Sequence, residues 1–296
     1  MASTARRWAK GCGCGCGLSL LVLGLLGWGG FVYIKGIVQE GEQAEKVMAE
    51  VRERHGGLSD FQPSPTGVLP PERVETFLRV RGLMADTRRE TEGSLSILSS
   101  DGPDGTEQVP GVLGELLKWG LGAAKVEGAT NLIPQVVGFI SARGDALLEA
   151  GMGPGEYLYI YSIAYYSWLA KSPADGPAFT LVGGDQDEDQ GPRGGQDEFD
   201  VREQRRELVL TRLNRQLLPM LRRQLAALDE GDTASAGWRD ELAAEITAME
   251  NDRFRIPWRD GVPEPIAASL EPYRQQLRSS YSALCNSLEV IPGSEE

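Results

Sequence analysis

Gly151–Pro173 reads GMGPGEYLYIYSIAYYSWLAKSP, and how this stretch is read decides the fold. A glycine-rich turn leads into Pro154, which suits the first turn of a helix because proline lacks only an N–H that would find no partner there anyway. The aromatic residues that follow fall on every face of that helix. Tyr157, Tyr161, Tyr165 and Trp168 lie along one side; Tyr159, Ile160, Ile163 and Tyr166 lie elsewhere. A helix that is apolar all round has no face to offer water and belongs at the centre of a bundle. At about 14 residues, roughly 21 Å, it is too short to cross a bilayer core of about 30 Å. The stretch therefore predicts a helical bundle with this element inside it.

Outward from that centre, helical periodicity recurs and strand signals nearly vanish. The one short β-branched run between turn residues, Ala178 to Val182, is too isolated to make a sheet. Before the aromatic helix, residues 71–98 open with Pro71 and place Val74, Phe77, Leu78, Arg81 and Met84 on one side. Residues 111–150 carry two stripes. The first is Val112, Leu113, Leu116, Leu117, Leu121 and Ala124; the second, with Pro134 near its start, is Leu132, Val136, Val137, Ile140 and Leu147. After it, 200–229 aligns Leu208, Leu213, Leu217, Leu221, Leu225 and Leu228, with Pro219 as an expected kink. Residues 236–253 carry Trp238, Leu242, Ile246 and Met249. Residues 264–289 carry Ile266, Leu270, Tyr273, Leu277, Tyr281, Leu284 and Leu288 at intervals of three or four. The loop RIPWRDGVPEP between these two helices is expected to bury Trp258.

The N-terminus adds a different signal. From Gly11 to Ile34 there are twenty-four residues without a formal charge, enough as a helix to span a bilayer. Arg6, Arg7 and Lys10 precede the run, Lys35 follows it, and Trp28 and Tyr33 stand where interfacial anchors would. Cationic residues are retained on the cytoplasmic side, so the N-terminus is expected inside and the rest exported, as for a bacterial inner-membrane protein facing the periplasm. A cleaved signal peptide competes with this reading, since Gly27 and Gly29 would suit a cut. Against it, apolar residues continue through Phe31, Val32, Tyr33 and Ile34. Residues 34–51 also carry a short heptad stripe of Ile34, Ile37, Gly41, Ala44, Met48 and Val51. It predicts either a homodimer through the anchor and these positions or a helix laid on the protein's own body.

The whole prediction is an all-α chain: an N-terminal transmembrane helix, then a single multi-helix bundle of about six or seven helices without a sheet. Its divisions are a basic tail 1–10, an anchor 11–34, a juxtamembrane helix 35–55, a Pro/Gly linker 56–70 and a first helical part 71–172. An acidic Gly-rich loop 173–200 and a second helical part 201–290 complete it.

Composition narrows the chemistry. Four of the 30 basic residues lie in positions 1–39, leaving 26 against 43 acidic ones in the rest, a net charge of −17. Phosphate backbones would repel such a body, so nucleic acid is excluded as a partner. Cys12, Cys14 and Cys16 sit at the cytoplasmic edge of the anchor. Cys285 is alone in the exported part and can form no intramolecular disulfide there. His55 is the only histidine, and it lies beside Gly56 and Gly57 at a helix end. The motifs GxSxG, SxxK, HExxH, paired CxxC and GxxxxGK are missing from the sequence. Asp185, Asp187 and Asp189 alternate as calcium ligands would, but Gly191 comes one place late and Gln196 replaces the terminal Glu. No catalytic, metal or cofactor residue is therefore assigned.

The function expected is that of a non-catalytic single-pass membrane protein. Its exported acidic domain would bind other proteins or organise a complex. The alternative is a small-molecule or lipid-binding module on the aromatic helix 157–169, with Glu156, Tyr157, Tyr161, Tyr165 and Trp168 as ligand-binding residues. A hydrolase working with carboxylates alone, Glu156 among them, ranks third.

Overall fold

The computed structural model describes residues 41–100, 129–177, 198–228 and 236–290. The chain divides into two units, Met1–Gln43 and Ala44–Glu296, and the second holds the core. Among the described residues there are helices and turns and no strand. The helices are α1 (41–55), α2 (Pro71–Leu83), α3 (Ala85–Ser100), α4 (Ala129–Ala150) and α5 (Pro154–Tyr161), which continues as a π-helical stretch, Ser162–Trp168. Then follow α6 (Glu198–Ala226), α7 (Ala236–Asn251), α8 (Glu264–Leu270), α9 (Arg274–Ser280) and the single turn α10 (Asn286–Glu289).

Helix α5 lies at the centre. Pro154 starts it, Gly153 is its extended N-cap, and every residue from Tyr157 to Tyr166 is buried. Each such apolar side chain taken fully from water contributes roughly 1.5–3 kcal/mol. Helix α2 presents Val74, Phe77 and Val80 inward, and α3 and α4 close over it with Leu95, Val137, Phe139 and Leu147. On the other flank α6 packs along α7 through Leu213, Leu217 and Leu221 against Leu242, Ile246 and Met249.

Four features depart from the sequence expectation, each for a local reason. The 71–98 helix is two helices, because the chain breaks at Met84, where the Arg81 carbonyl accepts the Arg88 guanidinium. The regular stripe over 264–289 does not make one helix. Pro272, without an N–H, forces a 3₁₀ turn at Glu271–Tyr273, and Tyr281 is extended at ψ 138°. In α6 the inward face is offset from the leucine row: Leu208 is 38 % exposed while Val209 and Leu210 are buried. Finally, the linker 56–70 is a strap bonded across the bundle. Arg223 donates to the Phe61 carbonyl at 2.9 Å, Gln224 to Ser64 at 2.6 Å and Trp238 Nε1 to Pro65 at 2.6 Å. Gly155 is the crossing point, because a Cβ there would stand 2.5 Å from the Leu58 carbonyl oxygen.

Helix α1 turns Ala44, Val47, Met48 and Val51 inward. A Cβ on Gly144 of α4 would meet Val47 at 2.6 Å and Met48 Sδ at 3.2 Å, so Ala44, Met48 and Val51 of the heptad stripe lie on the chain's own body. Residues 34–40, the anchor 11–34 with Trp28 and Tyr33, the 111–128 stripe and Asp185, Asp187 and Asp189 lie outside the described residues. No described helix is long and apolar enough to cross a membrane.

Candidate functional site

The five expected ligand-binding residues separate into three places. Tyr157, Tyr161 and Tyr165 form a row with ring centroids 6.1 and 4.7 Å apart, extended by Phe77 at one end and Tyr281 at the other. Glu156 turns the other way and accepts two hydrogen bonds from Arg73, the Nε one at 2.6 Å. Trp168 is covered by the Arg274 guanidinium, 4.2 Å above its ring. The tyrosine hydroxyls meet the chain's own C-terminal segment. Tyr157 donates to Glu289 at 2.7 Å, Tyr161 and Tyr166 both donate to Asn286 Oδ1 at 3.0 and 2.8 Å, and Tyr165 bonds Ser280 at 2.9 Å. In an α-helix positions 161 and 166 point apart, as the sequence reading had them. The π-helical stretch, which bonds five residues back as Leu169 N does to the Ala164 carbonyl at 3.0 Å, stacks i over i+5 and brings both hydroxyls to one acceptor.

Around this row lies a polar core that the sequence did not reveal. Arg81 is wholly buried and pairs with Glu289, whose side chain is equally enclosed. It also donates to the Tyr157 hydroxyl at 2.9 Å and lies 5.4 and 5.6 Å from the Tyr161 and Tyr165 ring centres. Arg88 donates to the Ser280 and Arg81 carbonyls, and Arg143 to those of Leu288 and Glu289 at 3.0 and 2.9 Å. Three arginines thus bond carbonyls at the ends of α2, α9 and α10, where helical backbone pairing runs out. Burial pulls the Arg88 and Arg143 guanidiniums below their usual range. It pulls on Arg81 too, but Glu289 and the tyrosines outweigh it and hold Arg81 well above. Burial likewise raises Tyr157, Tyr159, Tyr161 and Tyr166, and pushes the Cys285 thiol up to about 12. Such groups stay in one protonation state near neutral pH, which suits a framework rather than proton transfer.

An open site lies elsewhere. A cleft of about 370 Å³ is lined by Glu241, Ala244, Glu245 and Ala248 of α7 and by Arg255, Trp258, Asp260, Gly261 and Pro263 of the following loop. The α7 residues recur at i, i+3, i+4 and i+7, so they share one face. Glu245, 6 % exposed, accepts both Nε and Nη2 of Arg255 at 2.9 and 2.8 Å and the Trp258 backbone N–H at 3.0 Å. Arg255 also reaches Asp260 at 2.8 Å; the bond to Glu245 leads the effects that lift its guanidinium above the ordinary value. Trp258 is held at φ +60°, a left-handed conformation that bulky residues rarely adopt. Trp238 braces it with ring centroids 5.5 Å apart.

Sequence reasoning placed Trp258 in an ordered loop but passed over Glu241, Glu245, Arg255 and Asp260. The available signal was a row of acids and alanines at helical spacing, followed within ten residues by a Trp in a Pro- and Gly-rich loop. Among the described residues, no group of three His, Cys, Asp or Glu could hold a metal ion. The anchor residues Arg6, Arg7, Lys10, Trp28, Tyr33 and Lys35 fall outside the described residues. No family model, curated protein or solved structure matches this chain.

Proposed function

We propose that this chain is a non-catalytic, single-pass membrane protein whose exported acidic helical body binds another protein. The observation that carries the reading is the contrast between the two ends of the sequence. An uncharged run, Gly11–Ile34, has cationic residues at its leading edge, and the body behind it bears a net charge of −17. The sealed core adds support: Arg81, Arg143 and Glu289 are bonded inside it, and Cys285 is buried in it too, so these groups serve the fold and are closed to substrate. The rival ligand module on residues 157–169 is not favoured, because the hydroxyls of Tyr157, Tyr161, Tyr165 and Tyr166 all have partners within the chain. Self-association through 34–51 would have to avoid Ala44, Val47, Met48 and Val51, which face inward.

The test is protease added to intact spheroplasts of a bacterial host expressing the full chain, followed by cross-linking in the membrane. Digestion of the body from outside, together with cross-links to a second protein, is expected. A body that is cut only after lysis overturns the topology, and membranes that yield the uncross-linked chain alone overturn the interaction role.

A further inference from the structure

The cleft beside Trp258 is built in a way that the stability of the bundle does not require. Trp258 lines it, is only 4 % exposed, and its indole Nε1–H has no acceptor among the described groups. A buried donor left unpaired costs about 1–3 kcal/mol, and such groups in native folds call for an explanation. The left-handed backbone at the same residue costs a comparable amount, on the order of 1–3 kcal/mol. The residue is fixed from behind by Trp238, which donates to the Pro65 carbonyl of the strap at 2.6 Å. A Cβ on Gly67 would stand 2.6 Å from the Trp238 ring, so the strap presses the brace in place.

Charge decides what the cleft accepts. Glu241, Glu245 and Asp260 line it against a single cation, Arg255. Glu245 is saturated by Arg255 and the Trp258 N–H, whereas Glu241 is exposed and Asp260, its side chain 77 % exposed, accepts an Arg255 N–H at Oδ2 at 2.8 Å. Two carboxylates therefore face solvent beside an apolar floor of Ala244, Ala248, Pro263 and Trp258. The volume of about 370 Å³ is near the lower end of ligand sites, roughly 300–1,000 Å³, and fits one long side chain better than an extended surface.

We infer that this cleft is the socket for a basic side chain, arginine or lysine, of the partner protein, with its apolar stem on Ala244, Ala248 and Trp258 and its cationic head between Glu241 and Asp260. The Trp258 ring, with its nitrogen shielded from solvent, forms part of the cleft wall and reports on its occupancy. The inference rests on the proposed interaction role and names the chemistry of the partner at its point of contact.

The probe is a blocked pentapeptide, acetyl-Ala-Ala-Arg-Ala-Ala-amide, titrated into the full chain in detergent with its tryptophans ¹⁵N-labelled. The indole signal that disappears in Trp258→Phe is expected to shift with the arginine peptide and to stay put with its norleucine counterpart. Glu241→Gln combined with Asp260→Asn is expected to weaken the binding at least about tenfold at low salt and to lower the melting temperature only slightly, because both side chains are exposed and the Asp260–Arg255 pair lies at the surface. No shift, an equal shift with norleucine, or undiminished binding in the double variant overturns the socket. The two proposals fail separately. Cross-links to a partner that persist in the double variant sink the socket and leave the interaction role standing. A wild-type chain without cross-links sinks the role while the titration still reports on the cleft.

Discussion

Arg81 with Glu289 and Arg255 with Glu245 are the same chemical pair in opposite surroundings. The first has both side chains at 0 % exposure and joins α2 to α10 across 208 positions of sequence. The second keeps 14 % and 7 % of its side chains in contact with solvent and spans ten positions at the edge of a cleft. Removing two ions from water is expensive, and attraction repays it only to the extent that the remaining donors and acceptors are satisfied. Around Arg81 the Tyr157 hydroxyl and the Ser280 carbonyl supply much of the repayment, although the Arg81 Nε–H finds no acceptor among the described groups. At Arg255 water supplies part of it, so the pair is free to serve as the wall of an open site. Full enclosure makes an ion pair an architectural element, and partial enclosure leaves it available to a ligand.

This contrast can be broken or sharpened by experiment. Alkali should have the largest effect. Burial holds Tyr157, Tyr159, Tyr161, Tyr166 and Tyr281 protonated in the fold above their ordinary range, whereas the unfolded chain loses those protons near pH 10. Above that pH the folded state binds more protons, so stability falls as pH rises, by about 1.4 kcal/mol per pH unit for each tyrosine. Below it these residues contribute no pH dependence. Urea melts followed by circular dichroism from pH 8 to 11 should show a flat region and then a steep loss. Continued stability through pH 11 would mean that the tyrosine row is open to solvent.

Next comes Glu289→Ala, which strands Arg81 without its carboxylate and is expected to cost about 3–5 kcal/mol in the same melts. Arg81→Met combined with Glu289→Leu should cost less than the single change, because it removes both charges at once. Asn286→Ala leaves the Tyr161 and Tyr166 hydroxyls without an acceptor and is expected to cost about 1–3 kcal/mol. Arg255→Gln should cost only about 1–2 kcal/mol, since water can reach the freed Glu245 and Asp260. If calorimetry finds Arg255→Gln as damaging as Glu289→Ala, the distinction between the two pairs collapses.

How much of this was legible in the sequence follows from the range of each interaction. Pro154 and the unbroken aromatic run marked the buried centre because both signals are local. The inward positions of Val74, Phe77, Leu213, Leu217 and Leu221 followed from periodicity. Arg81 fell on the apolar side of its helix in the same pattern, an anomaly that pointed to a buried partner without naming it. Glu289 could not be found, because nothing near position 81 specifies which of 43 acids returns to it. Tyr166 was misplaced for a different reason: a π-helical stretch rotates side chains relative to 3.6-residue spacing, and hydrophobic pattern alone does not signal it. The socket at Trp258 escaped notice because its acids look, in sequence, like an ordinary solvated helix face.

The placement of Glu289 has a consequence for biosynthesis. Two guanidiniums translated early, at positions 81 and 143, are brought to rest by a short turn that the ribosome makes nearly 150 codons after the second of them, and a third, at 88, by the Ser280 carbonyl just before that turn. No nascent chain shorter than this can close its centre. Assembly therefore waits until synthesis has passed position 289, and any product interrupted earlier exposes unpaired arginines and tyrosines to the proteases that patrol for unfinished chains.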